Sequence, residues 1–458
     1  MEIGFDTIGN ATIIAYDRVP VLVTDPWLRG SAYFGSWTYS HAIPEEQLLA
    51  AASCPYAWVS HGHPDHLSGE SLRALKAKTL LLPDHVGNRI ANDLRNDGFT
   101  VQVLPDKTWI RLSDRIRVLC LADYNQDGIL LIDINGRLLV NFNDSSERGW
   151  GHFVRKIIER YEISFLLRLS GFGDADMINI FNEEGEHLLP VRAAERLPVG
   201  REISLMMRDM RAKYFIPFSS MHRYQRTDSI WADEHTTNLS DYPVGFDSTT
   251  GTLLPAFIRY DCQTDTYQEL NPPEQKRTIH QPEDFDDNWT DQLDRAEAEA
   301  VRKYFVGIEH LGEHFDYINF RVGGKNNIVE LSKRKFDRAI TFEVPRNSLM
   351  TAIKYQIFDD LLIGNFMRTI LHGKTGAAGL YPDFTPYVAK YADNGGARSK
   401  EELAEYFRKY RQRAPFEYMR GRLRNVAKDV IRDRFSAGSA PYRMAKRAYH
   451  MLKSSPFS

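Results

Sequence analysis

Cysteine is scarce in this chain. Cys54, Cys120 and Cys262 are the three among 458 residues, far apart and odd in number. That argues against a disulfide framework and fits a reducing compartment. It also excludes a thiolate-rich zinc site or a four-cysteine iron–sulfur cluster, because isolated cysteines cannot supply the paired spacing such sites need. Long apolar runs are missing as well, so no stretch reads as a bilayer span. The opening segment MEIGFDTIGNATIIAYDRVPVLVTDP has early acidic residues and β-like runs where a secretory signal would have a basic stretch and an apolar core, and the expected location is the cytoplasm. Nor is there an excess of one charge. The 58 Lys/Arg and 61 Asp/Glu leave a net charge of −3, a balance that does not suggest a nucleic-acid binder. No internal repeat is visible.

What is present is an ordinary globular composition, 43% hydrophobic and 26% charged, in a chain long enough to bury a substantial core without staples. At about 150 residues per domain, the length suits roughly three domains or one large domain with additions. Short β-rich segments recur through the first 220 residues, at Thr12 to Ala15, Val21 to Thr24, Ala57 to Ser60, Thr79 to Leu82, Val101 to Leu104, Ile116 to Leu121, Ile129 to Ile134 and Leu138 to Phe142. Asn135-Gly136 has the residues of a two-residue hairpin turn. Helical stretches intervene at Ser71 to Lys76, His85 to Asp97 and Phe153 to Tyr161, so an α/β (α+β) layered fold is expected over residues 1–270. The proline-bearing stretch Asn271 to Asp287 reads as a linker. Residues 288–375 then read as a compact α+β unit: a helix near Asp291 to Val306, strands at Tyr317 to Val322 and Ala339 to Val344, and an apolar helix over Leu349 to Leu371. The expectation is a structural appendage that covers or extends the first domain.

Residues 398–458 differ, with 16 Lys/Arg against 6 Asp/Glu. Apolar residues recur there at helical spacing, at Phe416, Met419, Leu423, Val426 and Val430. One reading of this basic helical tail is a solvated face packed on acidic neighbours. The other is peripheral contact with an anionic membrane surface or an acidic partner.

The segment Ser60-His61-Gly62-His63-Pro64-Asp65-His66-Leu67 carries the chemistry. Three imidazoles and a carboxylate fall within six residues, directly after a strand, where a loop can turn them toward one spot. Neutral imidazole suits divalent transition metals and carboxylate suits harder ions. His61 and His63 can grip one cation, and Asp65 and His66 a second, about 3.5–4 Å away as in two-metal hydrolytic sites.

This His-x-His-x-Asp-His pattern after a strand resembles the signature of the metallo-β-lactamase superfamily, which implies an αββα sandwich holding one or two metals at the edge between two sheets. The resemblance implies further ligands at later strand ends. Asp144, after Leu138 to Asn143, would be the bridging carboxylate, and His222, after Tyr214 to Met221, the last histidine. Asp25 would orient a metal-bound histidine, its alternative being a cap or turn residue. Where the family has a middle histidine, this chain reads Ala122-Asp123-Tyr124-Asn125-Gln126-Asp127, so Asp123, or else Asp127, stands in its place. A carboxylate there shifts preference from zinc, the default, toward iron or manganese.

Further segments together resemble the non-Rieske portion of the CMP-N-acetylneuraminate hydroxylase family: Thr24-Asp25-Pro26-Trp27, the histidine cluster through Ser68, Val86-Gly87-Asn88, Asn141 to Asp144, Pro217-Phe218 and Asp359-Asp360-Leu361-Leu362-Ile363-Gly364. The paired Cys-x-His and Cys-x-x-His motifs of a Rieske centre are not found in these residues. The expected activity is therefore a metal-dependent hydrolase, with Asp65 both ligand and orienter of the attacking hydroxide, acting on an anionic, sugar- or phosphate-bearing small molecule. The alternative is an oxygenase of the hydroxylase type needing a separate Rieske or ferredoxin partner. Lys213, Arg223 and Arg226 flank the last ligand, and Arg223 is the expected substrate contact, guanidinium being suited to anions.

Overall fold

Turn residues cut the first half of the chain into short apolar strands, and the computed structural model shows how these assemble. It describes residues 2–75, 78–145, 150–171, 177–188, 198–375, 380–391, 395–415 and Met419, so the spacing seen from Leu423 onward lies outside the described residues. The first stretch runs β1 (Ile3–Ile8), β2 (Thr12–Asp17), β3 (Val19–Thr24), β4 (Trp37–Tyr39), α1 (Glu45–Ser53), β5 (Tyr56–Trp58), α2 (Gly69–Ala74), β6 (Thr79–Pro83), α3 (Arg89–Asn96) and β7 (Thr100–Leu104). Next come β8 (Trp109–Arg111), β9 (Ile116–Ala122), β10 (Gly128–Ile134), β11 (Arg137–Asn143), α4 (Gly151–Ile158), β12 (Ile163–Arg168), β13 (Ile180–Phe181), α5 (Val199–Met210), β14 (Tyr214–Pro217), β15 (His222–Tyr224), β16 (Thr252–Leu253), β17 (Ile258–Asp261) and β18 (Thr266–Glu269). The remainder holds α6 (Arg295–Val306), β19 (Tyr317–Val322), β20 (Lys325–Glu330), β21 (Arg338–Glu343), α7 (Arg346–Tyr355), α8 (Phe358–Ile363), β22 (Arg368–Gly373), α9 (Thr385–Tyr391) and α10 (Lys400–Arg413).

Two mixed sheets pack face to face. One has the order β18-β17-β1-β2-β3-β5-β6-β7, the other β16-β14-β12-β11-β10-β9-β8. Their inner faces share one core that includes Phe5, Trp58, Phe165 and Tyr260. Phe165 meets Phe5 edge-on at 5.1 Å and Tyr260 at 4.8 Å. The outer face of the first sheet is covered by residues of α1, α2 and α3, and that of the second by α4 and α5. A strand buried on both faces needs an unbroken apolar run, and β10 (GILLIDI) is buried at every position. The β10–β11 hairpin turns at Asn135 and Gly136, both at positive φ (51° and 82°), as the twist of the paired strands requires.

Strands β3, β5, β6 and β7 run parallel to one another, as do β11, β12 and β14, so their carboxyl ends gather along common edges. Loops leaving such edges are where open α/β sheets hold their ligands.

A third sheet, β13-β22-β21-β19-β20, is built on the C-terminal unit, with β13 added at its edge from the segment between β12 and α5. Its core joins Phe305, Phe320, Phe342, Phe358 and Phe384 with Val86 and Ala122 of the sandwich and with Leu403, Tyr406 and Tyr410 of α10. Basic residues of α10 meet acidic neighbours: Arg413 contacts Asp106 at 3.0 Å and Asp84 at 3.3 Å, and Lys400 pairs with Glu313. Among the described residues no helix is long and apolar enough to cross a membrane.

Two expectations change. The helix expected over Leu349 to Leu371 is two helices and a strand, because Gln356 (φ 56°) ends α7, Asn365 (φ 54°) follows α8, and Arg368–Gly373 pairs with β21. The stretch 271–287 is not a free linker. His41 bridges to Glu274 and Arg226 to His280, and buried Asp287 accepts from Arg226 Nη1 (2.8 Å) and from Ser348 N (2.9 Å) and Oγ (2.5 Å).

Candidate metal centre

The histidine turn occupies the gap between the carboxyl end of β5 and the start of α2. His63 O accepts from the N–H groups of His66 (3.0 Å) and Leu67 (2.7 Å), which closes the turn, and Ser68 Oγ caps α2 by accepting from Ser71 N. Asp25 follows β3, Asp144 follows β11, and His222 opens β15, which pairs with β4 in a separate ribbon. Three chain segments at this edge contain non-glycine residues at positive φ: the β3–β4 connection at Asp25 (39°) and Tyr33 (51°), the end of β11 at Asn143 (41°), and the β14–β15 loop at Ser219 (59°). Such conformations cost of order 1 kcal/mol or more and persist where surrounding contacts fix them.

His61, His66 and Asp144 each present a donor atom, and the three lie within 4.8 Å of one another. His66 Nε2 is 3.4 Å from Asp144 Oδ1 and 3.3 Å from Asp65 Oδ2. The opposite nitrogen, Nδ1, lies 3.2 Å from Asp25 Oδ2, while Asp25 Oδ1 accepts from Ser60 N at 2.7 Å. Asp25 thus faces away from the cluster and fixes the ring whose other nitrogen enters it. Ser60 Oγ is 2.8 Å from His61 Nδ1, which leaves His61 Nε2 as the inward nitrogen, and that atom meets His63 Nδ1 at 2.9 Å. Asp65 is held at both oxygens: Tyr33 Oη donates to Oδ1 at 2.6 Å and Asn10 Nδ2 to Oδ2 at 2.8 Å. His222 is buried with its ring stacked on Trp37 at 3.5 Å and 7°.

Electrostatics divide these histidines. Burial works against charge on His63 and His66, yet carboxylates outweigh it. The Asp359 hydrogen bond and charge, with Asp360 and Asp65, push His63 up to about 10, and Asp65, Asp144 and Asp25 hold His66 well above the ordinary imidazole range. Burial pushes the others down: His61 well below its usual value, with cationic neighbours adding to the effect, and His222 to about 3. Burial alone would raise Asp65, but the neighbouring His66 brings it to about 2.

The residues fit a divalent cation. Both ring nitrogens of His222 are buried without a hydrogen-bond partner among the described residues, and the buried His66 Nε2 and Asp144 Oδ1 meet only charged neighbours of the cluster, at 3.3–3.4 Å. Orphaned buried polar atoms are rare because each costs desolvation free energy. Imidazole nitrogens with carboxylate oxygens are a donor set for zinc, iron or manganese.

Two residues singled out from sequence lie elsewhere. Asp123 is not among the donors that lie within 4.8 Å of one another at His61, His66 and Asp144; its Oδ2 lies 3.5 Å from Ser145 Oγ, next to Asp144. Its Oδ1 accepts from Asn125 N (2.7 Å) and Asp127 N (3.2 Å), which shapes the turn before β10. Arg223 sits between buried His222 and Tyr224 on β15, so strand alternation turns its side chain to the other face, and its charge bears on His41, on Arg277 and on His222 itself. Arg226 is fully buried against Asp228 and Asp287 (both 2.8 Å). Sequence reasoning missed Asn10 and Tyr33, which hold Asp65, and Trp37 under His222. It also gave no role to Asp359 and Asp360, whose oxygens lie within 4.8 Å of each other and of a His63 nitrogen.

Two packed sheets with outer helices, and a His-x-His-x-Asp-His turn at their carboxyl edge, make the metallo-β-lactamase-like sandwich. The chain is similar to cytidine monophosphate-N-acetylneuraminic acid hydroxylase of Cricetulus griseus, 21% identical over 326 residues, which are 66% of this chain and 56% of that protein. It spans about half the length, or less, of the curated relatives it matches. No family model matches it. Similar solved structures include CmlA, a diiron β-hydroxylase from Streptomyces venezuelae (17% identity, TM-score 0.37, covering 59% of this chain and 54% of that one). Another is Igni18, a metallo hydrolase from Ignicoccus hospitalis (13% identity, TM-score 0.35, covering 55% and 94%).

Proposed function

We propose that this protein is a metal-dependent hydrolase acting on an anionic, sugar- or phosphate-bearing small molecule. The observation that carries the reading is the gathering of His61, His66 and Asp144 donor atoms within 4.8 Å of one another, with Asp65 Oδ2 3.3 Å from His66 Nε2; the buried His222 ring, both nitrogens without a hydrogen-bond partner among the described residues, feels the Asp65 charge. His61, His63, Asp65, His66, Asp144 and His222 would hold one or two divalent ions, which supply a water ionised near neutral pH and polarise the scissile group. The chain's own residues set the geometry. Asp25 and Ser60 fix His66 and His61 so that one nitrogen of each faces inward. Tyr33 and Asn10 hold Asp65 from both sides, which keeps its carboxylate placed to orient a nucleophile. Trp37 fixes the plane of the His222 ring. The anionic sugar class is supported by the similarity to proteins named for a sugar nucleotide, cytidine monophosphate-N-acetylneuraminic acid.

A second reading, a hydroxylase supplied with electrons by a separate Rieske or ferredoxin partner, is favoured by that same similarity over two thirds of the chain. Elemental analysis after anaerobic purification tests both. Zinc without iron, with turnover of a phosphoester, ester or amide panel, supports hydrolysis. Bound iron with no hydrolysis supports oxygenation, and no bound metal removes both readings. The tail is proposed to touch anionic membranes; full-length protein that never pellets with anionic liposomes at low salt would refute this.

A further inference from the structure

His63 is the member of the turn that the sandwich does not hold. His61 is fixed through Ser60 and His66 through Asp25, both within the first sheet. His63 instead has its outer nitrogen, Nε2, 3.4 Å from Asp359 Oδ2, a residue 296 positions later on α8 of the C-terminal unit. Its inner nitrogen, Nδ1, faces His61 Nε2. The arrangement repeats that at His66: a buried carboxylate on one ring nitrogen, the other nitrogen turned to the cluster. In metal sites such a carboxylate fixes tautomer and ring orientation and raises ligand basicity.

We infer that Asp359 is a positioning residue for His63, so that the C-terminal unit completes the metal centre instead of merely covering it. This rests on the proposed metal site. Helix α8 is itself tightly placed. Ser36 Oγ donates to Gly364 O at 2.6 Å, and Asn365 Nδ2 donates to the hydroxyl of Tyr224, two residues past His222, at 2.8 Å. Phe366 lies under the buried Arg226 guanidinium at 4.0 Å. The turn following α8 is therefore tied both to the ribbon that carries His222 and to the loop that carries Tyr33. A displacement of the third sheet would move the partner of His63.

The test measures zinc and cadmium affinity by chelator competition for the full chain, for Asp359→Asn, and for Asp25→Asn as the benchmark. Asp359→Asn and Asp25→Asn are each expected to weaken binding about 10- to 100-fold, because each removes the carboxylate behind a ligating ring. In the wild-type protein with isotope-labelled histidine, cadmium–nitrogen coupling is expected at His63 Nδ1 with a proton retained on Nε2. That readout does not depend on any variant folding. Coupling at His63 Nε2, or unchanged affinity in a folded Asp359→Asn protein, overturns the inference and leaves the metal site standing. A wild-type chain that binds neither cation overturns the metal site itself.

Discussion

The two sides of the proposed metal centre are built differently. Around His66 everything is local to the sandwich: Asp25, Ser60, Asp65 and Asp144 all leave the carboxyl ends of its strands. Around His63 the partner comes from a helix on a different sheet. The first side depends on the one core that the two sheets of the sandwich share. The second depends on how the phenylalanine-rich core of the C-terminal unit seats α8. The same four-residue span of ligands is thus held half by one folding unit and half by another.

His66→Ala tests the sandwich side and carries the largest expected effect. Metal affinity should fall by more than the about 10–100-fold that loss of an outer partner costs, since the ligand itself is gone; chelator competition measures it. Next is a matched pair of core truncations. Phe358→Ala and Phe165→Ala each remove a fully buried ring and should each cost about 3–5 kcal/mol in urea unfolding. Only Phe358→Ala should also loosen metal while the protein is folded, because Asp359 is the next residue. Equal metal affinity in both variants would break the comparison.

A pH effect of intermediate size separates the histidines by sign. In the metal-free protein the raised groups, His63 (about 10) and His66, add stability that is complete below the usual 6.5 and is lost as pH climbs through their folded values. The depressed groups, His61, His85 (about 4) and His222 (about 3), add stability that is present above 6.5 and is lost as pH falls. The histidine contribution to the metal-free melting temperature should therefore peak near pH 6.5. Ligating imidazoles must be neutral, so the gap between loaded and metal-free melting temperatures should widen as pH rises from there. The smallest effect belongs to Arg223→Ala. Its side chain lies on the far face of β15, so stability should stay within about 0.5 kcal/mol, and metal affinity should change only through the Arg223 charge that bears on His222, far less than on loss of a ligand.

Much of the sandwich side was legible in the sequence. Strand ends, turn residues and the spacing of His61, His63, Asp65 and His66 are local signals, and the Asn135-Gly136 hairpin forms as its residues require. Other features were not legible for physical reasons. The run after Leu349 is apolar enough for a helix, yet positive-φ Gln356 and Asn365 break it, and pairing with β21 makes its end a strand. Asp123 looks like a ligand by position, but its own turn uses one carboxylate oxygen and Ser145 approaches the other. Asp359 lies so far along the chain from His63 that no spacing rule relates them, and Asn10 and Tyr33 are polar residues in loops with no motif of their own.

The stacking of Trp37 on His222 gives the molecule a native optical gauge. An indole at van der Waals distance from an imidazole has its emission quenched when that ring becomes a cation or binds an open-shell ion, so the part of the fluorescence lost in Trp37→Phe, one of seven tryptophans, is expected to follow the state of the His222 ring.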